Sequence, residues 1–113
     1  MRIGVTSQNF RSITGHAGKS RRFLIYDAHH DEPITEIGRL DLPKDMSMHA
    51  FHGEHHPIFD LDVIITAGCG EGFVERLRQH GVQVIATAEA NPVVAVNAVL
   101  AGRPLPPPLA HQH

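Results

Sequence analysis

Asp62-Val63-Ile64-Ile65-Thr66-Ala67-Gly68-Cys69-Gly70-Glu71-Gly72 decides the fold class of this chain. Its first half is a short unbroken apolar run, which marks a strand covered on both faces. Its second half is a tight glycine turn. A helix follows from Phe73 to His80, with Phe73, Val74 and Leu77 on one side and Glu75, Arg76, Arg78 and Gln79 on the other. Gly81 stops it, and Val82-Gln83-Val84-Ile85-Ala86 is the next strand. This strand–helix–strand unit needs a right-handed crossover between parallel strands. Beyond it, Asn91 caps a second helix whose first residue is Pro92 and which runs to Ala101, before Gly102. Residues 103–113 carry four prolines and read as a mobile tail.

Upstream, the pattern is all strand and loop. Residues 2–7 suit a first strand, with Ile3 and Val5 alternating with smaller or polar neighbours. Residues 8–21 are polar and contain Gly15 and Gly18, as a loop does. Residues 22–28 read as a buried strand and residues 34–40 as another, and the short turn between them favours an antiparallel hairpin. Residues 41–60 hold Met46, Met48, His49, Phe51, His52, His55, His56 and Pro57 and few strand formers. They form an irregular or partly helical connection, since Gly53 and Pro57 oppose a long helix. The sum is a small mixed β-sheet flanked by helices, an α/β fold.

The chain has 113 residues, enough for one domain with its own core. We place that domain at residues 1–102. One cysteine excludes an internal disulfide framework and an all-cysteine metal cage. No apolar run reaches the ~18 residues of a membrane span. The N-terminus reads as a strand and not as a signal peptide, so a cytoplasmic protein is expected. The formal charge of −2 provides no basic footprint for a nucleic acid. Histidine is the unusual component, at ten residues. It is the commonest metal ligand, and binding through neutral imidazoles weakens in mild acid.

Three segments could carry chemistry. The first is His49-x-x-His52-x-x-His55-His56. On a helix, His49, His52 and His56 would share one face and could bind a transition metal or a cluster edge. The plainer reading is a polar loop with incidental or capping imidazoles. The second is the glycine turn at 68–72. Glycines let a ligand approach the backbone, and the helix start offers free N–H groups and a positive dipole end to an anion. The same dipole favours the Cys69 thiolate. Thiolate and amides together suit a sulfide-rich cluster or a phosphate; a tight turn with a buried cysteine is the plainer reading. A full Gly-x-Gly-x-x-Gly is absent, because its third position is Phe73. The third segment is Thr14-Gly15-His16-Ala17-Gly18-Lys19-Ser20-Arg21-Arg22, where basic charge surrounds one imidazole. It suits a metal-bearing anion, or else is a solvated loop. If the first and fourth strands lie parallel and adjacent, His16 and Cys69 share one rim, where ligands of open α/β sheets sit. The histidine connection could then fold over that rim as a lid.

Arg2-Ile3-Gly4-Val5-Thr6-Ser7, Thr14-Gly15-His16-Ala17-Gly18-Lys19, Arg22-Phe23-Leu24-Ile25-Tyr26 and the Asp62–Gly72 segment occur here in an order and spacing that resemble the NifX/NafY-type domain, also found at the C-terminus of NifB proteins. The resemblance spans about residues 1–102. It implies an RNase H-like three-layer fold without nuclease activity. It also implies non-enzymatic carriage of iron-molybdenum cofactor, or of a related metal–sulfur cluster or precursor, between cluster-donating and cluster-receiving proteins of nitrogenase maturation. His16 matches the family's candidate ligand in Asp-x-His-Phe-Gly, although Thr14 and Ala17 replace the acid and the aromatic. Cys69, His49, His52, His55 and His56 are the further candidate ligands. Lys19, Arg22 and the amides of Gly68, Gly70 and Gly72 would hold an anionic cluster. Two-metal nuclease chemistry needs several carboxylates, and the first strand has none. The alternative from another class is a phosphate- or nucleotide-binding module built on the glycine turn 68–72.

Overall fold

The computed structural model describes residues 1–109. The strands are β1 (Arg2–Thr6), β2 (Arg22–Asp27), β3 (Thr35–Asp41), β4 (Val63–Thr66) and β5 (Gln83–Ala86); the helices are α1 (Glu71–Gln79) and α2 (Pro92–Leu100). They form one five-stranded sheet in the order β3-β2-β1-β4-β5. β1–β2 and β2–β3 are antiparallel, whereas β1–β4 and β4–β5 are parallel. The expected hairpin is present, and the first and fourth strands are parallel neighbours, the condition on which His16 and Cys69 share a rim. A register shift interrupts β2–β3 between Ile25 and Tyr26.

Alternation along each central strand sorts side chains to two faces. Ile3, Val5, Leu24, Tyr26, Val63 and Ile65 meet Ala95 and Val96 of α2 on one face. Phe23, Ile25 and Ile64 meet Phe73 and Leu77 of α1, together with Met48, Ile58 and Leu61, on the other. The sheet is thus the middle of three layers.

Local chemistry explains the helix ends. The Asn91 side chain accepts from the Val93 and Val94 N–H groups, and Pro92 follows it without needing a donor. Gly81 and Gly102 adopt φ of +78° and +71° just beyond the two helices, the left-handed region that favours glycine. α1 begins at Glu71, two residues before the expected start. Gly70 takes the N-cap position, and Gly72 lies in the first turn.

Residues 42–62 form a strap that leaves β3 at one rim and enters β4 at the other. It contains two 3-10 turns, Lys44–Met46 and Pro57–Asp60, and no α-helix. The shared helical face expected for His49, His52 and His56 is therefore not formed. Pro57 lacks an N–H donor and starts the second turn instead. The described part of the expected mobile tail is docked. Leu105 packs on the α2-side core, and the Pro106 carbonyl accepts from Thr87 Oγ1 at 2.7 Å. Residues 110–113 of that tail lie outside the described residues.

Candidate functional site

Parallel β1 and β4 end at the same rim with Thr6 and Thr66. Both threonines are fully buried. Their hydroxyl oxygens lie 2.8 Å apart, and Thr6 Oγ1 donates to the Thr14 carbonyl at 2.6 Å. Thr66 Oγ1 is also 3.2 Å from the carbonyls of Thr14 and Gly68. This pair fastens the loop after β1 to the turn after β4. Two backbone bonds complete the joint: Ala67 N–H donates to Thr14 O and Ala17 N–H donates to Gly68 O, each at 3.1 Å. His16 and Cys69 each adjoin a residue of the Ala17–Gly68 bond. The two therefore belong to one rim.

His16 is exposed and has φ of +54°. A left-handed histidine costs conformational energy, and strain of this kind persists where surrounding bonds fix it. Here the Lys19 N–H donates to His16 O at 2.9 Å and the Ser20 hydroxyl lies 3.2 Å from the same carbonyl. The imidazole lines a cavity of about 140 Å³ with Gln8, Thr14, Gly15, Lys19 and Ser20.

Cys69 is half-buried beside the α1-side core. Burial pushes its thiol up from the ordinary range. This direction is opposite to the expected favouring of the thiolate, and its cause is desolvation of the charged form. A metal would have to displace the proton. The first-turn amides of α1, at Glu71, Gly72 and Phe73, have no acceptor one turn earlier within the helix.

The strap closes over this rim. His49 N–H donates to Gly18 O at 2.6 Å. A second cavity, of about 340 Å³, lies between Gly18, Met48, His49, Gly70, Phe73 and Arg76. Arg76 was assigned to a polar helix face by its spacing. In the structure it bridges to the strap, donating to Met48 O at 2.7 Å and to Phe51 O at 2.5 Å.

His52, His55 and His56 line neither of these two cavities. His56 is buried, and both of its ring nitrogens are engaged: Nδ1 accepts from Ile58 N–H at 3.1 Å, and Nε2 lies 2.6 Å from Met46 O. It is the N-cap of the second 3-10 turn, which takes it out of the ligand set. His55 lines a separate cavity of about 550 Å³ with Glu54, Asp60 and His80, near the start of β4. His52 is exposed on the strap. Arg22 stands at this rim but lines neither cavity: its guanidinium donates to Asp41 at 3.3 Å and at 3.0 Å to the carbonyl of Gln8, a residue of the His16 cavity, and lies over the Phe10 ring. Among the described residues, no three His, Cys, Asp or Glu side chains are grouped to hold a metal ion. The shared histidine face is therefore corrected: His49 lines the cavity beside Gly70, His55 and His56 line the one beside His80, and His52 lines neither.

Comparison with known proteins gives this rim its context. A family model described as dinitrogenase iron-molybdenum cofactor matches residues 1–102. The chain belongs to that family. The dinitrogenase iron-molybdenum cofactor family is one of cofactor binding and carriage. No curated protein matches the chain. Two solved structures share the fold. The crystal structure of PH0822 has a TM-score of 0.68 at 17% identity, covering 91% of each chain. An NMR structure of a Thermotoga protein, TM1290, described as a candidate NifB protein of the DUF35 family, has a TM-score of 0.59 at 15% identity, covering 99% of this chain and 97% of that one. Among the described residues, no helix is long and apolar enough to cross a membrane.

Proposed function

We propose that this chain carries an anionic metal–sulfur cluster of the iron-molybdenum cofactor type, as a non-enzymatic intermediary between cluster-donating and cluster-receiving proteins. The cluster is cargo and sits at the rim where the His16 loop, the glycine turn and the strap meet. His16 supplies an imidazole nitrogen and Cys69 a sulfur that deprotonates on coordination. The first-turn amides of α1 and the Lys19 ammonium offset the negative charge. His49 is the strap histidine that covers this rim; His52, His55 and His56 are left out of the ligand set. The observation that carries the reading is the backbone bond from Ala17 to Gly68, which sets the family's matching histidine beside the only cysteine.

Anaerobic reconstitution with iron(II), sulfide and molybdate tests it. The expected product is a coloured protein containing metal and acid-labile sulfide. His16→Ala should retain several-fold less than His80→Ala, a histidine near the opposite end of α1. Equal retention in the two variants would remove His16 from the site. Retention of a nucleotide by colourless protein would favour the phosphate-binding alternative.

A further inference from the structure

We infer that Arg76 is a two-position residue: it clamps the strap in one position and binds the anionic guest in the other, so that loading the carrier loosens the strap. The inference rests on the carrier reading and adds a regulatory link to the same site.

The strap is built to move as a unit. His56 Nε2 against Met46 O, at 2.6 Å, ties its two ends together. A 3-10 turn stands at each end. Residues 47–55 between them form a compact loop with closed ends, a type that packs on its own side chains. The Ala50 and Phe51 N–H groups both donate to Ser47 O within the loop. Lifting it therefore leaves its internal bonds intact.

The polar contacts that hold this loop to the body are few. His49 N–H donates to Gly18 O. Arg76 supplies the others, through the carbonyls of Met48 and Phe51, and its guanidinium lies 5.9 Å from the Phe51 ring centroid. The same arginine lines the 340 Å³ cavity beside Gly70 and Phe73. Its present acceptors are neutral carbonyls, and it takes part in none of the ion pairs among the described residues. The guanidinium bonds to these carbonyls are already charge-assisted, but an anionic acceptor adds ion–ion attraction and can take the planar fork through two parallel bonds. An anion in the cavity thus outcompetes the two carbonyls, which turn to water as the loop lifts. A receiving protein can then distinguish loaded from unloaded carrier by the state of one surface loop.

Amide hydrogen exchange on the full chain tests this, before and after reconstitution with iron(II), sulfide and molybdate. Loading should speed exchange at His49, whose N–H leaves the Gly18 carbonyl, by about tenfold while leaving Ala50, Phe51, Ile64 and Ile65 unchanged, the signature of the loop lifting as a unit. Arg76→Gln should show fast loop exchange before loading, no further change after it, and several-fold weaker retention. Arg76→Lys keeps the charge without the planar fork, and its retention and loop exchange should fall between those of the wild type and Arg76→Gln. A wild type that loads fully with loop exchange unchanged would overturn the inference and leave the carrier reading standing. So would Arg76→Gln retaining cargo as well as the wild type. A wild type that takes up no metal or sulfide would overturn both.

Discussion

The two faces of the sheet are covered by different chemistry. α2 covers one face with Ala95 and Val96, apolar residues against Ile3, Val5 and Ile65, and the Asn91 cap bonds only within the helix's own first turn. The strap covers part of the other face with Met48, Ile58 and Leu61, and Arg76 holds it besides through two of its backbone carbonyls. Apolar burial is non-directional and has no competing partner short of unfolding. A bond from a cation to a carbonyl has a competitor whenever an anion arrives. The first face is suited to permanence, and the Arg76 clasp adds to the second a contact suited to exchange.

The largest expected effect tests that contrast by truncation. Ile65 faces α2 and is fully buried; Met48 is nearly as buried but sits on the strap. Ile65→Ala should destabilise the whole domain by about 2–5 kcal/mol, as large-to-small core changes do. Met48→Ala should cost less, because the strap can settle into the space. Urea unfolding of the two variants measures the difference. Equal losses would mean that the strap is as rigid as α2.

A smaller effect concerns acid. Burial is the leading cause that holds the His56 imidazole below its ordinary range of about 6.5, with the Arg76 charge adding to it and the Met46 carbonyl opposing it. The unfolded chain then takes up this proton before the folded chain does. His56 therefore contributes stability that is fully present above about pH 6.5 and is lost as the pH falls through its lower folded value. The urea midpoint should fall between pH 7.5 and pH 5, and it should fall less in His56→Gln. An identical pH slope in the two proteins would place the acid sensitivity elsewhere.

The sheet was legible because its signals are side-chain patterns. The run at 62–67 announced a doubly covered strand, Asn91-Pro92 a helix start, and Gly81 and Gly102 the helix ends. The meeting of His16 with the Cys69 turn followed from strand order alone. The site's supports were harder to read. Arg76 binds main-chain carbonyls, which leave no letter in a sequence, so spacing showed only a polar helix face. Thr6 and Thr66 end two apolar strands, a position where a buried hydroxyl needs a partner, and each finds it in the other. His56 stands before Pro57, as an N-cap does, and this too pointed to a structural role. The shared face of His49, His52 and His56 depends on a helix, and the strap takes two 3-10 turns instead.

X-ray absorption at the metal edges of the reconstituted protein tests the central claim most directly. The account predicts a nitrogen scatterer that disappears in His16→Ala and a loss of sulfur scattering in Cys69→Ala, with both features retained in His80→Ala. Spectra unchanged by the first two substitutions would contradict it.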